Sequence, residues 1–127
     1  MSINLIGQSP VGIWKTIDDI SGDAKSHIEI YEENGKLYGK VVKLLMSDPS
    51  TLCTECKDDL KDQPVLGMVL MKNLVPKKNY WEKGTIMDPE TGKSYKCKIY
   101  MESPDKLKVR GYIGIEALGR NQYWHRV

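Results

Sequence analysis

The sequence predicts an all-β protein, a single antiparallel up-and-down barrel of about eight strands. Three observations predict it. Turn chemistry recurs at short intervals, apolar and polar residues alternate with period two between the turns, and helical periodicity never persists for three turns. Short hairpin-linked strands with one apolar face leave unpaired edges, and a sheet that closes on itself removes them.

The elements follow in order. "GIWKTI" (12–17) is the first strand, and "DDISGDA" (18–24) is a longer connection after it. In "SHIEIYEE" (26–33), Ile28 and Ile30 fall on one face while His27, Glu29 and Tyr31 fall on the other. Asn34-Gly35 is the strongest short hairpin signal, because both residues tolerate positive φ. A third strand is expected over 37–46. The polar stretch "SDPSTLCTECKDDLKDQ" (47–63) reads as a surface loop with a helical turn. Strands are expected over 65–73 and 81–87, and "DPETGK" (88–93) closes the next hairpin with Asp at the turn start and Gly at its end. In "SYKCKIYM" (94–101), Tyr95, Cys97, Ile99 and Met101 share a face. "ESPDK" (102–106) turns the chain into "KLKVRGYI" (106–113), where Leu107, Val109, Gly111 and Ile113 oppose Lys106, Lys108, Arg110 and Tyr112. The last strand covers 121–126. The interior of an eight-stranded barrel holds side chains or one small ligand.

With 127 residues the chain is one domain on size grounds, and a single core of that length needs no staple. The domain is assigned to 11–127, and residues 1–10 to an N-terminal extension or the remnant of a signal peptide. The net charge of +2 comes from 19 basic and 17 acidic residues interleaved along the chain, so no basic face exists for phosphate neutralisation and nucleic acid is excluded as a partner. No apolar run approaches the ~20 residues of a transmembrane segment. Internal repeats and low-complexity segments are not evident.

Two residues far apart in sequence bear on how the barrel closes. Trp14 lies on the first strand, two residues after Gly12, and Arg126 lies on the last. A closed meander brings these strands together, so the guanidinium can lie over the indole, a contact that stabilises by roughly 0.5–2 kcal/mol. A Gly-x-Trp on the first strand with an arginine on the last resembles the signature of the calycin superfamily, which includes the lipocalins. The wider pattern "GIWKTIDD…GKLYGKVVKLL…CTEC…VLGMVLMKNL…WEKGTIMDPETGKSY…LKVRGYIG…GRNQYWHR" resembles the bacterial domain-of-unknown-function family numbered 2147 over residues 11–126. The resemblance implies a calycin-like barrel in an exported bacterial protein, periplasmic or secreted, with no established biochemical activity. It carries over to Trp14, Asp18, Gly39, Cys53, Cys56, Gly67, Trp81, Gly84, Asp88, Pro89, Gly92, Tyr95, Gly111, Gly119, Trp124 and Arg126. Cys97 departs from that pattern, which has a small or aliphatic residue there.

Cys53 and Cys56 form a CxxC in a polar loop. A structural disulfide fits best, contributing roughly 2 kcal/mol in the chain-entropy account. Free thiols, a metal site and redox catalysis fit less well. The flanking acidic residues raise a thiol pKa, and zinc needs two further ligands that no second CxxC supplies. Cys97, on an apolar strand face, reads as a buried thiol. No catalytic constellation is readable: His27 and His125 lack motif context, the carboxylates sit in turns, and phosphate-cradling glycine loops are absent. Neither a metal nor a cofactor is expected.

The aromatic content of three Trp and seven Tyr with no Phe suits pocket walls and rims, because both residues carry a polar edge, although most can equally be barrel wall. Tyr38, Trp81, Asp88, Tyr95 and Arg120 lie near strand ends or beside glycines and are the expected ligand-binding residues at one barrel mouth. The plainer reading of Asp88 is a cap for its own turn, and of Arg120 a solvated surface residue. The expected function is non-enzymatic binding of a small, mostly apolar ligand by a monomer. The alternative is a protein-interaction or envelope-associated module whose barrel is filled by its own side chains.

Overall fold

A computed structural model describes residues 9–127. Of the 1–10 stretch expected to be an extension or signal remnant, residues 1–8 lie outside the described residues. The strands are β1 (Gly12–Ile17), β2 (Ala24–Glu33), β3 (Lys36–Leu44), β4 (Val69–Pro76), β5 (Trp81–Met87), β6 (Ser94–Ser103), β7 (Lys106–Tyr112) and β8 (Arg120–Arg126). Each pairs antiparallel with its neighbour, and β1 pairs with β8 to close the barrel. The expected all-β up-and-down barrel is the observed fold.

Turn chemistry and parity explain most of it. Asn34 and Gly35 adopt φ of 54° and 79° in the β2–β3 hairpin, as expected of the pair. The period-two faces point as read. Ile28, Ile30, Cys97, Ile99, Leu107 and Val109 are buried, and their sequence neighbours look outward. Trp14, Met71, Leu74 and Trp124 complete the interior from the remaining strands.

The region before β4 differs from expectation. A strand was expected over 65–73, whereas β4 runs from Val69 to Pro76. Val65 and Met68 are buried core residues without being strand. The chain between them breaks at Gly67, and its backbone is held on β3, where Val41 donates to the Met68 carbonyl (2.9 Å) and accepts from the Gly67 amide (2.7 Å). Apolar content signalled burial there, and the left-handed glycine prevented a ladder.

The 47–63 stretch is also more than a surface loop. It contains the expected helical turn, a 3-10 turn over Asp58–Leu60, but Cys53 and Cys56 within it are only 1% and 4% exposed. The segment organises its own backbone. Cys53 donates to the Gln63 carbonyl at 2.8 Å, Asp62 to the Cys53 carbonyl at 2.9 Å, and Val65 to the Thr51 carbonyl at 3.0 Å. Those bonds satisfy the polar groups that burial would otherwise orphan.

One barrel end is closed by the contact inferred from Trp14 and Arg126. The Arg126 guanidinium carbon lies 4.3 Å from the centroid of the Trp14 ring. Its nitrogens donate to the Pro104, Val11 and Ser9 carbonyls at 2.9, 3.1 and 2.8 Å. The Trp14 indole N–H donates to the Pro10 carbonyl at 2.8 Å, so Ser9–Val11 is tied to this end. Gly12 leaves the space, because a Cβ there would lie 2.6 Å from Arg126 Nη1.

Replacing this side chain tests its weight. Arg126→Met is expected to lower the unfolding free energy by roughly 2–3 kcal/mol, from the lost cation–π contact and charge-assisted hydrogen bonds. Urea titration followed by tryptophan emission measures it. A change under about 0.5 kcal/mol, the size of an ordinary surface substitution, would assign closure to the strand ladders instead.

Candidate functional site

At the opposite end the barrel is open. Here β1, β3, β5 and β7 finish and β2, β4, β6 and β8 begin. A cavity of about 710 Å³ enters from this end. Ile28, Val41, Met71, Val109 and Trp124 form its deep wall, and Leu44, Leu70, Ile86 and Met87 line it nearer the mouth. Parity turns Ile28, Val41, Met71, Ile86, Val109 and Trp124 inward, and Leu44, Leu70 and Met87, out of step with them, join the lining where their strands begin or end at the mouth. A concave apolar chamber with a few polar groups at its entrance is the usual form of a small-molecule site.

Polar groups collect at the rim. Lys25, at the start of β2, forms an ion pair with Glu90 of the β5–β6 turn. Partial burial alone would lower the Lys25 pKa. The bond to Glu90, with the charges of Asp88 and Asp18, outweighs this and holds it above its ordinary value. Asp19 pairs with Arg120 at 3.6 Å and accepts from Gln122 Nε2 at 3.3 Å. Thr16 and Ser26 share a hydroxyl hydrogen bond of 2.7 Å inside the same wall.

Three of the five expected ligand-binding residues meet here. Asp88, Tyr95 and Arg120 line the cavity. Asp88 Oδ1 also accepts from the Glu90 amide at 2.9 Å, so the carboxylate caps its own turn while its position faces the mouth. The Arg120 side chain is 85% exposed and held by Asp19. Tyr38 and Trp81 are not at this mouth, which corrects the single-mouth expectation. Tyr38 is on the outer face of β3, where it stacks on Tyr31 at 5.8 Å between ring centroids and donates to Asn73 Oδ1 at 3.0 Å. Trp81 begins β5 at the closed end, opposite Ile99, and packs on the core. Both lie near strand ends, as read, but at the ends of strands that start where the barrel is shut.

The loop of the CxxC supplies a wall that sequence reasoning missed. Thr51, Leu52, Thr54 and Glu55 line the cavity. Cys53 and Cys56 are joined by a disulfide, their Cα atoms 5.3 Å apart. Cys56 Sγ lies 3.9 Å from Met87 Sδ, and Cys53 Sγ lies 3.4 Å from the Pro89 carbonyl oxygen. The loop therefore rests on the β5–β6 turn. Gly92 in that turn has φ 75°, and a Cβ there would stand 1.9 Å from the Glu55 carbonyl oxygen. Lys25, Glu90, Asp19 and Gln122 were missed as well, because nothing in their local spacing announces a site.

No group of three or more metal-ligating side chains occurs among the described residues. His27 and His125 lie on either side of Lys15, on the strands flanking β1. Desolvation, then the charges of Lys43 and Lys15, push the His27 pKa below its ordinary value. Cys97 is fully buried, and desolvation pushes its thiol up to about 12. No helix among the described residues is long and apolar enough to cross a membrane.

Two measurements probe this arrangement. Thiol titration of the non-reduced native protein should find no reactive group, and titration in denaturant should find one, from Cys97; stoichiometric labelling at neutral pH in the folded state would contradict its burial. Gly92→Ala should push the loop off the turn. It is expected to destabilise the fold by about 2 kcal/mol or more and to speed dithiothreitol reduction of the Cys53–Cys56 disulfide several-fold. An unchanged reduction rate would mean that the loop is not held by this contact.

Comparison with known proteins places the architecture. A solved structure, protein HP1028 from the human pathogen Helicobacter pylori, described as belonging to the lipocalin family, superimposes with a TM-score of 0.84. The match covers 94% of this chain and 84% of that one at 20% sequence identity, so it is a likeness of fold. No curated protein shows significant sequence similarity to the chain. The family model for uncharacterised proteins conserved in bacteria, DUF2147, matches residues 12–126. With nearly every barrel residue inside that match, the chain belongs to the DUF2147 family.

Proposed function

We propose that this protein is a non-enzymatic binding module that holds a small, mostly apolar molecule in its barrel. The observation that carries the reading is the cavity of about 710 Å³, walled by aliphatic side chains and open at one end. A ligand that buries about 300 Å² of apolar surface there gains on the order of 7 kcal/mol before the costs of association. Asp88, Tyr95 and Arg120, joined by Lys25 and Glu90, supply the polar contacts that orient it. The fold likeness to a protein described as a lipocalin supports the reading by analogy alone.

The same reading has the protein working outside the cytoplasm, periplasmic or secreted, as a monomer, with 11–127 as the functional unit. The Cys53–Cys56 disulfide supports that compartment, because such bonds persist where the surroundings are oxidising.

A second reading, a protein-interaction module, is favoured by one observation. Exposed aliphatic side chains gather on the loops around the mouth, with Ile20, Ile113, Ile115 and Leu118 at 96%, 67%, 65% and 78% exposure. Apolar groups so placed serve either a ligand or a docked partner.

Binding of N-phenyl-1-naphthylamine separates the two readings. The probe should brighten on adding the protein and quench Trp124, the tryptophan that lines the cavity. Ile86→Trp, which fills the chamber from a half-buried position, should weaken binding at least tenfold. If wild type and variant bind alike, or neither binds, the barrel is not the binding site and the interaction module is the better reading.

A further inference from the structure

The outer face of the barrel carries a row of basic residues that no single strand shows. Lys15, His27, Lys43, Lys106 and His125 stand on that face, and strand register sets them side by side. Lys106 pairs with His125 across β7 and β8, and His125 with Lys15 across β8 and β1. Lys15 then pairs with His27 across β1 and β2, and His27 with Lys43 across β2 and β3. Residues interleaved with acidic ones along the chain thus gather into one row over five of the eight strands. At the ~4.8 Å spacing of strands the row is about 20 Å long.

A sheet ordinarily avoids this arrangement, because like charges directly opposite one another destabilise it. Nothing among the described residues relieves it. Lys15, Lys43 and Lys106 form no ion pair there, and the Nζ of Lys106 has only the Tyr123 ring, 4.8 Å away. The carboxylates beside the row are engaged elsewhere. Glu29, two residues along β2 from His27, pairs with Lys40, and Asp105, next to Lys106, pairs with Arg126, each at 3.9 Å.

We propose that this row is a docking track for a linear polyanion, an acidic polysaccharide that bears a carboxylate on each ring. The track lies outside the barrel and is independent of what the barrel holds. Shape and chemistry select the partner. The row bends with the barrel wall, so a flat anionic bilayer meets only part of it, whereas a flexible chain follows all five strands. One sugar ring per strand is close to the spacing of the row. No Tyr or Trp stands in it, so it lacks the stacking platforms of a single-stranded nucleic-acid channel. Ammonium and imidazole N–H groups donate to carboxylate oxygens, and these bonds are strong because they are charge-assisted.

His27 reports occupancy of the track. Burial, then the charges of Lys43 and Lys15 on the two flanking strands, hold its pKa below the ordinary value. Lys25 and Glu29 are its charged neighbours along β2. A carboxylate seated between the lysines offsets their repulsion, so the occupied state has the higher His27 pKa. By linkage, binding then strengthens as the pH falls through the His27 titration.

Calorimetric titration of the full chain at about 50 mM salt with polygalacturonate, neutral dextran, long-chain polyphosphate and phosphatidylglycerol vesicles tests this. Polygalacturonate should bind and dextran should not. Replacing Lys15 and Lys43 together by Glu should weaken binding at least about tenfold. Lys72→Glu, on β4 and outside the row, should change it by less than about twofold. Lys15→Glu alone should leave the thermal midpoint at or above that of wild type, since it removes a like-charge contact, so lost binding is not lost folding. The His27 ring protons, followed by NMR, should titrate at a higher pH when polygalacturonate is present. No binding of polygalacturonate, equal binding of dextran, an equal loss from Lys72→Glu, or an unmoved His27 titration overturns the proposal. Tighter binding of polyphosphate or of vesicles also overturns it, by making the row a phosphate or membrane surface.

Discussion

Everything about this barrel follows from where its first and last strands are tied. The ladder between β1 and β8 is two residue pairs long, and one further bond runs from the Val127 amide to the Ile13 carbonyl at 2.9 Å. Arg126 adds side-chain contacts to the same seam. One guanidinium lies on the Trp14 ring and serves carbonyls from Ser9, Val11 and Pro104, so the Ser9–Trp14 stretch and the β6–β7 turn converge on a single side chain. Guanidinium suits the task because its planar fork of donors stacks on an aromatic face while still hydrogen-bonding at its edge. The geometry has room for it only because position 12 has no Cβ. The outcome is an asymmetric barrel, shut at one end and unzipped towards the other.

That asymmetry directs the rest of the packing. At the shut end Trp14, Leu37, Leu74 and Leu107 are buried against one another as ordinary core. At the other end the inward residues have no such floor to meet, and their aliphatic surface lines a chamber instead. Part of the wall there is not sheet at all. The segment between β3 and β4 folds on its own hydrogen bonds and its disulfide, and its backbone leans on the β5–β6 turn at Gly92. Cys53, Cys56, Val65 and Met68 of this segment join the core, and the cross-link and the close backbone contact add to that packing in holding it.

The chemistry at the mouth is one of charge pairs rather than of reactive groups. Lys25 of β2 reaches across the opening to Glu90 of the β5–β6 turn, and Asp19, just after β1, pairs with Arg120 of β8. The buried thiol of Cys97 is held protonated, and the histidines stand beside Lys15 rather than beside a carboxylate. The binding role proposed above uses these surroundings, with charge at the rim and apolar surface in the interior. A barrel of this kind supports many functions, so its role is decided by these side chains and not by the architecture.

The sequence by itself determined the architecture. Period-two alternation, the Asn34-Gly35 and Asp88–Gly92 turns and the pairing of Trp14 with Arg126 all rest on neighbours in the chain or on the closure of a meander, and these rules act locally. It also indicated the CxxC disulfide and the buried Cys97. Only the tertiary structure decided which strand ends share a mouth. Tyr38 and Trp81 have the same local credentials as Asp88 and Tyr95, yet they stand at the closed end or on the outer face. The Lys25–Glu90 pair joins residues 65 positions apart, and the wedge between β1 and β8 exists because a ladder stops. None of this leaves a mark in local spacing. It depends on how eight twisted strands meet in space, with the Arg126–Trp14 contact at the shut end and the parting of β1 from β8 at the entrance.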